Sequence, residues 1–467
     1  MKRLILLLVP CLALCQSRFT GSLHGYLNTA PTVIGNQATI QLSGDGTYLV
    51  NAAGTPVFIT GDAAWSLIAR LNITDANIYL ANRAAKGFNV VIVNLMEHAF
   101  AQNCNCGWGC PNLAGTLPFP TDQIFTAPNE SYFVYADSII DAAAGHGITV
   151  LLDPIYLGYD CGCQGWCASL KGVSNTVARN WGQWVGNRYK GRNNIVWLIG
   201  GDCDPVAQGA DTKTAQVALG IKDVDSAHLM TAHNNVEESS QDIWNGASWL
   251  NLNGIYSYTV AGVPGVSQAN YQRSGALPQF GLEFYYTDPQ QTITDAQARG
   301  QWYWAVLAGS NRGTFYGDDP IWHFNSVGEA QTPTWQDAME FTISYQIGYA
   351  GALMRSRRHW LMVPDFAHSV LTAGYSSGAN VAVCSRASDG SSIIVFMPNS
   401  RQVTIDMSKI ADTGSEAKCW WYNPRDASTT LIGTYANSGT RNFTPPDNND
   451  WVLVIDSNAL GFVAPGA

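Results

Sequence analysis

The segment NIVWLIGGD, residues 194–202, decides the fold. Its apolar run from Ile195 to Ile199 shows no period-two alternation, so a strand built from it is buried on both faces, as in a parallel sheet covered by helices. Two glycines and an aspartate then end the run. Working outward, seven further runs have the same grammar: VFITGDAAW (57–65), FNVVIVNL (88–95), ITVLLDP (148–154), LMTAH (229–233), NGIYSYTV (253–260), PQFGLEFYY (278–286) and NRGTFYGDD (311–319). Amphipathic segments lie between them. Thr74 is placed to cap a helix that stops near Gly87, and Ser131 one that ends by Gly147. Val177, Trp181, Trp184 and Val185 follow helical spacing, as do Ala298, Trp302, Ala305 and Val306. Eight strands interleaved with helices predict an α/β fold, a (β/α)8 TIM barrel over residues 57–357. A doubly wound open sheet is the competing arrangement, but no glycine-rich nucleotide turn follows the first strand.

After residue 357 the grammar changes. Short β-rich runs such as VAVCSRA and AKCWWYN alternate with Asp-Gly, Pro-Asn and Asn-Pro turns, which predicts an all-β sandwich over residues 358–467. Cys384 and Cys419 are expected to bridge two of its strands. Residues 1–15 read as a cleavable secretory signal: Lys2 and Arg3, an apolar run from Leu4 to Leu14, then Cys15. A lipid-anchor reading of Leu12-Ala13-Leu14-Cys15 is weakened by the size of Leu14. Residues 16–56 form an N-terminal extension with a hairpin that turns at Gly44-Asp45-Gly46 and covers the bottom of the barrel.

The chain has 467 residues, 46% of them hydrophobic and 13% charged, with 16 Trp, 20 Tyr and 16 Phe, far too apolar for disorder. A formal charge of −10 and the lack of Lys/Arg clusters argue against a nucleic-acid partner. No stretch is long enough to span a bilayer. Oligomeric state is not legible.

Barrel enzymes work at the C-terminal ends of their strands, so the polar residues that finish each run are the informative ones. In chain order these are Asp62 and Trp65; Asn94, Glu97 and His98; Asp153 and Tyr156; Asp202 and Asp204; His233; Tyr256 and Tyr258; Glu283 and Tyr285; and Tyr316, Asp318, Asp319, Trp322 and His323. Carboxylates that bind hydroxyls, aromatic faces that stack on sugar rings, and two acids able to flank a glycosidic bond predict a polysaccharide or oligosaccharide substrate. Asp202 and Glu283 end the fourth and seventh strands, about opposite each other around the mouth, and are the expected catalytic pair. The two glycines before Asp202 are expected to let the backbone crowd a ligand. No metal or organic cofactor is required.

Two loops repeat Cys-x-Cys-x-x-x-Cys around a tryptophan: CNCGWGC at 104–110 and CGCQGWC at 161–167. In an exported chain, Cys104, Cys106, Cys110, Cys161, Cys163 and Cys167 are read as disulfide staples, with a thiophilic metal as the alternative. The staples would hold Trp108 and Trp166 over the mouth as stacking platforms; otherwise the indoles pack under their own loops. Cys203 is left over, or joins a staple.

The runs GDAAWSL (61–67), YLANRAAKGFNVVIVNL (79–95), VWLIGGDCDP (196–205), GLEFYY (281–286) and YGDDPIW (316–322) resemble the apiosidase-like barrels of glycoside hydrolase family 140, grouped as DUF4038. The C-terminal part resembles the module that commonly follows such barrels, a collagenase-associated collagen-binding domain. The resemblance implies a retaining mechanism with Asp202 as general acid/base and Glu283 as nucleophile, acting on a furanosidic bond such as that of apiose. The cysteine motifs depart from the family pattern.

The rival function is a barrel without activity that binds carbohydrate or collagen. A peptidase has little support, since no His-Glu-x-x-His occurs. GYSSG at 374–378 matches an esterase elbow but precedes a β-run instead of a helix, and reads as a turn.

Overall fold

The computed structural model describes residues 39–97, 109–288, 292–325 and 333–467. A hairpin of β1 (Gln41–Leu42) and β2 (Leu49–Val50) precedes eight parallel strands. These are β3 (Ile59–Ala63), β4 (Val90–Asn94), β5 (Thr149–Asp153), β6 (Ile195–Gly200), β7 (Met230–His233), β8 (Asn253–Ser257), β9 (Gln279–Phe284) and β10 (Gly313–Tyr316). Hydrogen bonding runs in the order β7-β6-β5-β4-β3-β10-β9-β8, with helices between successive strands, as a (β/α)8 barrel requires. Both helix starts lie slightly upstream of the expected caps. Asn72 caps the helix at Ile73–Ala85 and Asn129 the helix at Glu130–Gly145, each side chain accepting from backbone N–H groups of the first turn.

A side chain helps to close the barrel between β7 and β8, beside backbone bonds from Asn251 and Leu252 to the Met230 carbonyl. Ser240 Oγ donates to the Ala232 carbonyl at 2.6 Å and accepts from the Gly254 amide at 2.8 Å, standing where a ladder bond would be. Ser240→Ala removes both bonds inside a dry seam and is expected to cost about 1–3 kcal/mol, read as a lower urea midpoint with an unchanged slope.

Strand parity sorts the barrel residues. Ile59, Ile92, Leu151, Leu198, Phe280, Leu282 and Phe315 fill the interior, joined at the base by Ile40 and Leu49 of the hairpin. Their sequence neighbours, such as Val91, Val93, Leu152 and Ile199, face the outer helices.

The C-terminal part holds β11 (Met362–Pro364), β12 (Leu371–Ala373), β13 (Val383–Ala387), β14 (Ser392–Met397), β15 (Val403–Asp406), β16 (Glu416–Tyr422), β17 (Thr429–Ala436), β18 (Thr440–Phe443) and β19 (Trp451–Ser457). They form a six-stranded antiparallel sheet, β11-β13-β14-β19-β16-β17, and a three-stranded sheet, β12-β15-β18. Alternation divides the larger sheet between two cores. Ile393, Val395, Trp421 and Leu453 pack on the smaller sheet, while Ile394, Phe396, Tyr422 and Val454 pack on barrel residues including Trp302, Tyr303 and Ile347. Tyr303 stacks on Phe396 with ring centroids 4.8 Å apart. Two buried ion pairs cross the same junction: Arg299 with Asp450, and Arg357 with Asp456, each at 2.8 Å.

This topology overturns the expected Cys384–Cys419 bridge. Cys384 on β13 and Cys419 on β16 are separated by β14 and β19, and three strand spacings come to about 14 Å. A disulfide spans at most roughly 7 Å between Cα atoms. Both thiols are free and buried, and so is Cys203, which joins no staple.

Candidate active site

The mouth of the barrel opens into a cavity of about 400 Å³. Of the residues expected there, Asp202, Glu283, Trp65, Tyr156, Tyr258, Tyr285 and Trp322 line it.

Each acid is presented by an irregular backbone. After β6 the chain runs through Gly200 (φ +103°), Gly201 (φ +125°) and Asp202 itself (φ +53°). A Cβ on Gly200 would lie 2.5 Å from the His233 carbonyl oxygen, and one on Gly201 2.2 Å from the Tyr156 ring. The two glycines therefore let the chain pass its own neighbours, and this contact accounts for them without the ligand expected from the sequence. Glu283 is aimed by a bulge. Ile255 pairs with Gly281 and Tyr256 with Glu283, so Leu282 is an extra residue on β9. Leu282 faces the barrel interior and Phe284 the outer core; strict alternation from Leu282 would have turned Glu283 outward.

One imidazole ties the acids together. His233 Nε2 lies 2.6 Å from Glu283 Oε2, and its Nδ1 lies 2.9 Å from the Asp202 amide nitrogen and 3.0 Å from the Asn234 carbonyl oxygen. Neutral His233 accepts from the amide at Nδ1; protonated, it donates from Nδ1 to the carbonyl. In both states Nε2–H donates to Glu283. Burial opposes protonation of His233, but the carboxylates of Glu283 and Asp202 outweigh it and the net shift is upward. Tyr258 donates to Glu283 Oε1 at 2.7 Å, so each oxygen of Glu283 is held. Tyr256 donates to Asp202 Oδ1 at 2.9 Å. Burial, and then the charge of Glu283, push Asp202 up to about 6. An acid in that range beside a carboxylate held by two donors is the pairing that general acid catalysis with a nucleophile needs.

Several expected site residues lie elsewhere. Asp62 and Tyr316 occupy outward positions of β3 and β10. Asp62 is fully buried against Arg83 Nε at 2.8 Å and the Tyr79 hydroxyl at 2.6 Å; Tyr316 and Asp318 bond each other and Thr287. These form a polar cluster behind the barrel wall, where burial pushes Asp318 up to about 7. Asn94 and Asp153 point inward but lie buried off the cavity lining; Asp153 accepts from the Ile155 amide, and burial raises its pKa. Glu97 is also buried, and pushed up to about 7 by burial. His233 acts from below the cavity through Glu283.

Trp166 is not a platform. It is fully buried, packed against Phe119 and Phe125 with its Nε1 donating to the Met96 carbonyl, because Gly109 brings the neighbouring loop onto its ring. His98, Trp108, Cys104 and Cys106 lie outside the described residues. Cys161 and Cys167 are joined to each other, and Cys110 and Cys163 each take part in a further disulfide. This removes the metal alternative for those four cysteines.

Asp319, at the end of the eighth run, also lines the cavity, whereas sequence reasoning passed over Tyr159, Gln164, Tyr286, Asp288 and Thr292, which line it too. Tyr286 accepts from Trp65 Nε1 at 2.9 Å, and Asp319 from Trp322 Nε1 at 2.9 Å. Tyr286 stands in the same aromatic run as Glu283; the signal was there without the parity to read it.

Comparison with known proteins agrees with this fold. Residues 43–361 match the family described as "Apiosidase-like, catalytic domain", and residues 363–456 the family described as "Putative collagen-binding domain of a collagenase". A solved structure described as a glycoside hydrolase superposes with a TM-score of 0.80 at 24% identity, covering 91% of this chain and 98% of its own. A family 5 glycoside hydrolase from Bacteroides vulgatus does so with a TM-score of 0.79 at 24% identity, covering 91% and 95%. No curated protein matches significantly. With that family match spanning residues 43–361, most of the chain, the protein belongs to the family of apiosidase-like catalytic domains.

Proposed function

We propose that the protein is an exported, retaining glycoside hydrolase that releases a neutral sugar, furanosidic in the manner of apiose, from a polysaccharide. The observation that carries the reading is the linked pair, with Glu283 held by His233 and Tyr258, and Asp202 shifted upward beside it.

In the first step Glu283 attacks the anomeric carbon while protonated Asp202 donates to the leaving oxygen. Asp202 then takes a proton from water, which displaces the ester and frees the sugar. Tyr258 and His233 hold Glu283 in line and are released from part of that bonding as its charge passes into the ester.

Neutrality of the bound sugar follows from charge. Asp202, Glu283, Asp288 and Asp319 line the cavity, and no lysine or arginine does among the described residues. The segments 98–108, 289–291 and 326–332 contain none either. A uronate bound there would meet like charges and no cationic side chain among the described residues. Export is supported by the bonded cysteines of the rim, which persist in an oxidising compartment.

The test is product release from a panel of plant and microbial polysaccharides, apiose-containing pectin included, with the anomeric configuration of the first product read by NMR. Retention with a neutral sugar is expected; the opposite anomer would remove the nucleophile role from Glu283. The pH profile is a second test. Asp202 must be protonated to donate, so kcat/KM falls about tenfold per pH unit above roughly 6.

A further inference from the structure

Tyr159 is 63% exposed and lines the cavity from the loop after β5. A lone exposed aromatic needs no explanation, but the backbone beneath this one is unusual. Gly158 has φ +92°, Asp160 +48° and Cys161 +60°, and left-handed backbone at non-glycine residues costs on the order of 1–3 kcal/mol each and persists only where its surroundings impose it. Here they do. Cys161 is bonded to Cys167, and Gly158 and Gly165 cross so closely that a Cβ on either would lie within 2.4 Å of the other's amide nitrogen. Gln208 Nε2 donates to Asp160 Oδ1 at 2.8 Å. The Asp160 amide donates to the carbonyl oxygen of Asp202 at 2.9 Å, so the residue after Tyr159 is hydrogen-bonded to the acid residue itself.

From this arrangement we infer that Tyr159 is the stacking platform for the sugar of the leaving group, held in place by the clasped loop 158–167. The inference rests on Asp202 as the proton donor. The oxygen that Asp202 protonates carries the leaving group, which must extend on the Asp202 side, away from Glu283. Tyr159 and Gln164 are the residues of that loop which line the cavity, and they offer a ring face and an amide. Asp288, Thr292, Asp319 and Trp322, from the loops after β9 and β10, are left for the released sugar. The ligand at Tyr159 is a saccharide ring with an apolar C–H face.

Two substrates of the same sugar separate the roles: an apiose-containing pectic oligosaccharide, whose leaving group is a saccharide, and apiosyl fluoride, whose leaving atom is too small to reach Tyr159. Tyr159→Ala is expected to lower kcat/KM on the oligosaccharide by about tenfold or more, mainly through KM, and to stay within about twofold on the fluoride. That tenfold is roughly 1.4 kcal/mol. Tyr159→Trp is expected to restore it. Equal losses on both substrates, or none on either, overturn the inference. Calorimetric binding of the oligosaccharide to Glu283→Gln, with and without Tyr159→Ala, reads the platform without turnover. An unchanged Kd overturns it, whereas binding weakened by Tyr159→Ala in a wild-type protein without turnover leaves the platform standing and removes the glycosidase reading instead.

Discussion

Glu283→Gln is expected to reduce turnover by roughly 10⁴-fold or more, the scale on which removal of a nucleophile acts in other covalent enzymes. The substitution keeps the shape of the side chain and removes its ability to form the ester. It also gives His233 Nε2–H and Tyr258 an amide where both met carboxylate oxygens, so the tyrosine hydroxyl must rotate to accept. Because the Glu283 charge helps hold Asp202 up, the variant should also lower the Asp202 pKa, readable by carbon NMR of the carboxyl. Glu283→Gly with azide gives a sharper reading. A glycosyl azide of inverted configuration would mark position 283 as the vacated nucleophile site. Hydrolysis at the wild-type rate in Glu283→Gln would sink the mechanism.

Arg357→Ala is expected to cost about 3–5 kcal/mol, measured as a fall in the urea midpoint. Arg357 is fully buried and bonds both oxygens of Asp456, which also accepts from Ser392 Oγ at 2.7 Å. Its loss leaves a carboxylate stranded in the junction between the barrel helices and the six-stranded sheet. Even with Arg357 present, burial shifts the Asp456 pKa upward, so the pair only partly offsets its own desolvation. The double variant Arg357→Met, Asp456→Leu should therefore recover most of the lost stability. A single variant as stable as the wild type would show that water reaches the pair.

The site was legible at some positions and illegible at others for a definite reason. Asp202 and Glu283 could be picked out because each ends a strand amid glycines or aromatics. Asp62 and Tyr316 were indistinguishable from them by that rule, yet they point behind the barrel wall into the Arg83 cluster. A parallel strand buried on both faces carries no polar alternation to say which side faces the mouth. Tyr159 was missed because it belongs to a turn, not to a strand end.

By itself the sequence determined the alternation of eight strands with helices, the β-rich C-terminal region and the two acids on the fourth and seventh strands, because apolar runs, helical spacing and turn residues act locally. Only the tertiary structure decided what depends on contacts between distant segments. The bulge at Leu282 turns Glu283 toward the mouth, and His233 joins the two acids across β7. The three strand spacings between Cys384 and Cys419 forbid a bridge, and the packing under Gly109 buries Trp166 while Tyr159 stays exposed at the cavity. Each of these is a matter of register and distance, set when strands far apart in the chain come to share one barrel.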